Sequence, residues 1–429
     1  MRYRTLETVR SADVARLREL GKQLAEIAAD PLQEQHRAIW TAVNDGKMTK
    51  PAILARDYPI HLINIDNELT PCCEDEFLAS VEAEMLVRIH EWQHLRCHRV
   101  VEPYINCQAD VRDTGLGLEA SSPGSDDILT VESEAVSSAK HFERILNGEE
   151  DLEKLRNPEV IYDEKSTQRR LEVMNEIFAG ILDVKLHGVD YFQYVPWDDL
   201  LSWMGIEEGM YDFVLNPEFM HKAIKRYTDA FIHRAKQYEA LGLLSSNNTN
   251  YTIGSGGYGY TSLLPRPTAS GVGAKLKDVW GFAADQIMTS VSPEMSEEFA
   301  FANEKPYADL FGQIYYGCCE RLDHKLDEIA GVFSNLRKMS VSPYADVEQA
   351  MEKMSGGDVI VSFKANSNHL AVNPPEYGLL RAELENVCRL AKEYGCNVEI
   401  LMKTIITLRG EPQRLWKWCD IAMEVLENY

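Results

Sequence analysis

Two adjacent thiols and a carboxylate, Cys318-Cys319-Glu320, follow a run that favours a buried strand, Phe311 and Ile314 to Tyr316, across a single glycine, Gly317. Thiolates and carboxylates are zinc ligands, and a catalytic zinc keeps three protein ligands and one open position. A metal-bound thiol is deprotonated, so such a centre also activates a substrate thiol as a nucleophile. A strand ending in this triplet places it at the carboxyl edge of a sheet, where parallel α/β folds do their chemistry. The competing reading is that Cys318 and Cys319 are small buried hydrophobes, a common fate of free cysteines. Cys107, Asp110, His369 and Glu399 stand near the ends of other strand-like runs and are the further ligands on offer.

Two other motifs compete for attention. His90-Glu-Trp-Gln-His94, with His98 one turn on, matches the zincin pattern in which two histidines on one helix face bind zinc and the glutamate activates water. No downstream helix supplies a third ligand and a supporting acid, so the better reading is the polar face of a helix packed through Ile89 and Trp92. Gly254-Ser-Gly-Gly-Tyr-Gly259 matches the dinucleotide fingerprint, which needs a helix N-terminus directly after it. Pro265 and Pro267 forbid that helix, leaving a flexible glycine-rich loop that closes over a ligand. No phosphate-loop lysine motif and no Gly-x-Ser-x-Gly elbow occurs.

The elements that must position these groups are clearest towards the C-terminus. Strand-like Gln313–Tyr316, Lys338–Val341, Val359–Phe363 and Asn397–Met402 alternate with helical 321–333, 346–354, 376–394 and 412–427. Such alternation with short loops means right-handed βαβ units and a parallel sheet, here half of a (β/α)8 barrel. Upstream, residues 5–45 and 75–97 read as helix, Lys50–Ala55 and Val100–Cys107 as strands, and 110–130 as a loop. Helical patterns fill 147–187, Tyr191–Val195 reads as a strand, and 207–243 as helix with Pro217-Glu218 at a start. The expected organisation is a helical extension over 1–48 and a barrel with insertions over 49–429.

Composition narrows the class. The 429 residues are 45% hydrophobic, enough for a large core, and the formal net charge of −24 with scattered basic residues disfavours a nucleic-acid surface. No apolar run reaches the roughly eighteen residues of a membrane span, and the opening Met-Arg-Tyr-Arg-Thr-Leu-Glu lacks a signal peptide's apolar core. Nine cysteines, two pairs of them sequence neighbours, read as reduced thiols of a cytoplasmic protein. The Asn-x-Thr triplets at Asn247 and Asn250 are then not glycosylation sites.

Trp280-Gly-Phe, Gln286, Ser292-Pro-Glu-Met, Tyr316-Gly-Cys-Cys-Glu320, Asn335-Leu-Arg-Lys-Met-Ser-Val-Ser-Pro343, Phe363-Lys-Ala-Asn, Lys403-Thr404 and Pro412-Gln-Arg-Leu-Trp416 together resemble one branch of the uroporphyrinogen decarboxylase superfamily. Upstream, Gly205-Ile-Glu-Glu, Asp212, Asn216-Pro-Glu218 and His221 fit the same pattern, so the likeness spans most of residues 50–429. It is similar to decarboxylase-like proteins of anaerobic bacteria. The resemblance implies a (β/α)8 TIM barrel with an N-terminal helical extension, and mildly a homodimer. Around Arg56 and Asp57 the arginine-rich segment of true porphyrinogen decarboxylases is missing. Against the coenzyme M branch, Tyr316 stands where that branch has a zinc-binding histidine and Cys318 where it has cysteine.

The resemblance therefore implies a methyltransferase that moves a methyl group between a small methylated substrate, methoxylated or methylamine-type, or folate, and a corrinoid carried by a partner protein. Cys318, Cys319 and Glu320 are expected to bind zinc or to polarise the heteroatom that carries the methyl. Glu320, Lys403 and His369 are the expected catalytic groups, and Tyr316, Gln286, Lys364 and Asp110 the substrate-binding ones. Two rivals stand beside this: a metal-free decarboxylase, recognised by converging arginines, and a non-catalytic binding barrel, recognised by a pocket without perturbed acids.

Overall fold

The computed structural model describes residues 9–119 and 142–429. The first residues of the 5–45 helix and the later part of the 110–130 loop lie outside the described residues.

Among the described residues ten strands form: β1 Ala52–Ala55, β2 Tyr104–Gln108, β3 Val111–Asp113, β4 Val160–Tyr162, β5 Asp183–His187, β6 Trp280–Ala283, β7 Gln313–Tyr316, β8 Leu336–Val341, β9 Ile360–Ala365 and β10 Val398–Met402. Six of them make one parallel sheet in the order β1-β10-β9-β8-β7-β6. β2 and β5 pair in parallel and β3 and β4 antiparallel. The fold is thus mixed α/β around a parallel sheet, with helices returning the chain between successive strands.

Among the described residues the main-chain ladder does not close into a ring, and side chains span its two open seams. Beside β1, Ile53 N donates to His98 Nδ1 at 2.9 Å while His98 N donates to Ile53 O at 3.1 Å. Beside β6, the Asn247 amide imitates a strand: Trp280 N donates to its Oδ1, and its Nδ2 donates to Trp280 O and to Asp190 O, all at 2.9 Å.

The C-terminal half matches the sequence reading to within a few residues, because each buried apolar run is bounded by turns. The helix expected over 321–333 is shorter, Leu326–Val332. The upstream half departs more. Residues 147–187, expected helical throughout, hold a short 3-10 helix, Glu149–Lys154, and one α-helix, Glu164–Phe178, between β4 and β5. Gly180 at φ +72° ends that helix, and Asp183-Val-Lys-Leu-His187 then alternates polar and apolar residues as a half-exposed strand does. Tyr191–Val195 forms no ladder. It runs extended into helix Pro196–Met204, tied to the sheet by Ala284 N donating to Tyr194 O, with Tyr194 stacked on Tyr307 at 3.9 Å.

The N-terminal helices, α1 Ser11–Ala28 and α2 Leu32–Asn44, carry apolar stripes that pack inward. Leu17, Leu20 and Leu24 of the first join the main core, whereas Trp40 of the second joins a smaller cluster with Leu54, Tyr258 and Leu401 inside the sheet's concavity.

The glycine-rich segment is not the flexible loop its composition promised. Residues 255–260 are buried, and the glycines are required by close approach. A Cβ on Gly257 would meet Trp40 at 2.2 Å, and one on Gly256 would meet both Glu399 Oε1 and Tyr315 at 2.5 Å. Arg56 Nη1 donates to the carbonyls of Gly254 and Gly256, and Gly257 N donates to Glu399 Oε1 at 3.1 Å. The segment is a plug in the sheet's interior.

Candidate active site

Alternation along each strand decides which side chains face the plug. On β7, Tyr315 turns to the interior, where its hydroxyl meets Ser362 at 3.0 Å, while Tyr316 turns outward onto Phe301 and Phe333. Glu399, Lys403, Lys338, Ser340, Ser362 and Lys364 share the interior face. Lys338 Nζ pairs with Glu399 Oε2 at 2.8 Å with both side chains fully buried, and Ser362 Oγ donates to Glu399 Oε1 at 2.6 Å. Lys364 Nζ donates to Tyr315 Oη at 2.7 Å and to Ser362 Oγ and O at 2.8 Å. Burial pulls Lys364 down to about 7, since the charged ammonium is poorly solvated there.

Above this network the chain leaves β7 through Gly317, whose φ of +92° only glycine adopts readily. A Cβ there would stand 2.5 Å from Leu322 and 3.0 Å from Ser340. The turn swings the thiols over the sheet's carboxyl edge. The Cys318 backbone is held on both sides: its N donates to Glu320 Oε2 at 2.8 Å, and its carbonyl accepts from Ser340 Oγ at 2.5 Å. Cys318 Sγ and Cys319 Sγ are 3.6 Å apart, and Lys403 Nζ lies 3.6 Å and 3.9 Å from them. The shared sulfur contact, then Lys403's charge, pulls Cys319 down to about 6 and leaves Cys318 raised. The single negative charge belongs to the pair.

Lys403 also donates to Ser255 Oγ at 2.6 Å and faces Asp57 Oδ2 at 3.5 Å, and Thr404 Oγ1 is 3.8 Å from Cys319 Sγ. Asp57 and Thr404 both hold positive φ, +59° and +55°, at the ends of β1 and β10. Non-glycine residues kept in that region cost roughly 1–3 kcal/mol, a strain that concentrates at functional sites.

Cys318 and Lys403 line a cavity of about 420 Å³ with Arg56, Asp57, Asp190, Tyr191, Gln193, Ser255, Phe282 and Gln286. Gln286 is aimed by Asp198, whose carboxylate accepts from Gln286 N at 2.9 Å and Ile287 N at 3.1 Å. Burial raises Asp198 to about 6 and Glu320 to about 7, and it raises the buried pair Asp285 and Glu304 behind them.

Of the residues singled out from sequence, the structure gathers Cys318, Lys403 and Gln286 at this cavity; Cys319 stands beside Cys318 and Lys403 without lining it, and Glu320 lies directly behind the thiols. Glu320 does not line the cavity; one oxygen holds Cys318 N and the other is buried. Lys364 is sealed beneath by its three protein bonds, and Tyr316 faces outward. His369 pairs with Glu376 at 2.7 Å, and Asp110 pairs with Arg170 at 3.0 Å at the far end of β2. Glu399 is neutralised by Lys338, and burial pushes the Cys107 thiol up to about 12. Asp190, Tyr191, Gln193, Asp198 and Ser255 escaped notice. The one local signal was Pro196-Trp-Asp198, a proline followed by acids at a helix start.

The His90/His94 pair is structural. His94 stacks on Trp416 at 4.1 Å, Glu91 pairs with Arg99 at 2.7 Å and accepts from Tyr58, and His98 is spent on Ile53. Among the described residues no three His, Cys, Asp or Glu side chains gather as a metal site. The cysteine pair supplies two thiols, but the Lys403 ammonium stands within 4 Å of both sulfurs, where a metal ion would need to be. These residues as arranged do not fit zinc.

No family model matches the chain, and no curated protein does. Among solved structures it is similar to a methyltransferase from Methanosarcina mazei, at 11% identity and a TM-score of 0.48, over 92% of this chain and 98% of that one. No role for any residue here rests on so distant a likeness.

Proposed function

We propose that the chain is a methyltransferase-like enzyme on an eight-stranded barrel of the uroporphyrinogen decarboxylase type. In this reading the Cys318–Cys319 pair takes a methyl group from a small methylated substrate, and the group passes on to a corrinoid carried by a partner protein. One observation carries it: two thiols in contact, both within 4 Å of Lys403 Nζ, open through Cys318 onto a cavity at the carboxyl edge of the sheet. A thiolate is the nucleophile that methyl transfer needs, and an adjacent ammonium keeps it ionised at neutral pH. Glu320 and Ser340 clamp the Cys318 backbone so that the sulfurs are held over the cavity.

The rivals find less support. A decarboxylase needs cations to hold a departing carboxylate. Arg56 is the arginine among the cavity's lining residues, and its Nη1 is spent on Gly254 and Gly256. A passive binding barrel gives no reason for the raised acids Glu320 and Asp198 beside the thiols.

The test is methylcobalamin formation from free cob(I)alamin, using a panel of O-, N- and S-methyl donors. Cys318→Ser and Cys319→Ser are expected to abolish it and Cys388→Ser to leave it intact. Failure with every donor, together with carbon dioxide release from a panel of small carboxylic acids, would overturn the proposal.

A further inference from the structure

We infer that the cavity takes a cationic, N-methylated substrate, of the quaternary ammonium class. This rests on the methyl-transfer reading and names its substrate. The cavity wall carries two carboxylates, Asp57 and Asp190, and the aromatic side chains Tyr191, Tyr251 and Phe282. The Tyr191 and Phe282 rings lie 5.5 Å apart at 37°, forming an angled wall. Aromatic faces flanked by carboxylates are how proteins recognise methylated ammonium groups.

The two cations of the wall are already engaged. Arg56 is drawn to the plug carbonyls, and Lys403 is turned to the sulfurs, Ser255 and Asp57. With the thiol pair singly charged, two cations face two carboxylates and a thiolate, leaving negative charge in excess. The carboxylate left over is Asp190, whose nearest basic atom is His187 Nε2 at 3.6 Å. Asp190 is fixed by the Asn247 amide on its carbonyl, so it is presented by the same side chain that spans the seam beside β6.

The chemistry agrees with the wall. As the thiolate attacks, a sulfur–carbon bond forms and the carbon–nitrogen bond breaks. The bonding pair stays on nitrogen, which leaves as a neutral amine with no proton required. A methyl ether would instead need a proton on its leaving oxygen, and neither of the nearby raised acids, Glu320 and Asp198, lines the cavity.

Isothermal titration with tetramethylammonium, with trimethylacetate as the anion of similar shape, tests this on the whole chain. Tetramethylammonium is expected to bind and trimethylacetate not to. Asp190→Asn is expected to weaken the cation roughly tenfold, the scale of one close charge contact in a half-buried site. Asp57→Asn gives the same readout where Asp190→Asn fails to fold. Equal binding of the two probes, no binding of the cation, or indifference to both variants would overturn the inference. The two readings fail separately. Cation binding without methyl transfer from quaternary donors sinks the transfer reading alone, and transfer from neutral ethers but not from quaternary ammonium sinks this one alone.

Discussion

Lys403 Nζ stands 3.6 Å from Cys318 Sγ and 3.9 Å from Cys319 Sγ, so one ammonium serves both thiols. It favours loss of the pair's first proton, and the sulfur contact opposes loss of the second. Alkylation by iodoacetamide, mapped by mass spectrometry, is expected to rise through a midpoint near pH 6. Exposed Cys72 is the internal standard. In Lys403→Met the midpoint moves up, and the rate at pH 6.5 falls roughly threefold if the pKa rises by about one unit. A midpoint that stays where it was would mean the lysine does not hold the charge.

Lys364 gives a pH signature in stability. Its ammonium is pulled down to about 7 from an ordinary 10.5. Below pH 7 both folded and unfolded chains hold the proton, and the burial penalty is fully present. Between 7 and 10.5 only the unfolded chain holds it, so this group makes stability rise with pH across that window. Lys364→Met deletes the titration. Urea unfolding at several pH values is expected to lose up to about 1.4 kcal/mol per pH unit of slope there. An unaltered slope would show that the folded ammonium remains charged.

Two glycines separate close packing from backbone freedom. Gly257→Ala drives a methyl to 2.2 Å from the Trp40 ring, which is itself enclosed, and should destabilise by about 1–3 kcal/mol or more. Gly331 sits in helix Leu326–Val332 with open space around it. There alanine should gain about 0.5–1 kcal/mol. Thermal melts of both variants decide it, and the same sign in both would refute the packing argument.

Asn247→Ala removes the amide that spans the seam beside β6 and strands Trp280 N without its partner. An unsatisfied buried group costs about 1–3 kcal/mol. Hydrogen exchange is the sharper readout: the Trp280 amide should lose protection while strand β9 keeps it. Equal loss in both would make the effect global rather than local.

How much of this was legible follows from what each signal depends on. The C-terminal strand–helix steps were readable because apolar runs such as Ile360–Ala365 are flanked by turn residues and buried throughout. Trp280–Ala283 was passed over because Gly281 breaks its apolar run, although that glycine is demanded by Phe311 at 2.4 Å. Tyr315 and Tyr316 are both buried aromatics, and nothing local says which one faces the interior. Lys364 and Lys403 share a face, yet neighbours far away in sequence, Tyr315 for one and Ser255 with Cys318 for the other, decide that only Lys403 reaches the cavity. The cysteine pair was visible as a motif. Its countercharge was not, because Lys403 is 84 residues from Cys319.

The buried glycine plug has a kinetic meaning. Residues 255–260 fill the sheet's interior beneath the thiols, so on the proposed methyl transfer a donor and an acceptor share the doorway at the carboxyl edge. An acceptor borne by a protein cannot stand in that doorway together with the donor. On the proposed methyl transfer, turnover alternates, the demethylated product departing before the acceptor docks, and double-reciprocal plots against the two substrates should run parallel rather than intersect.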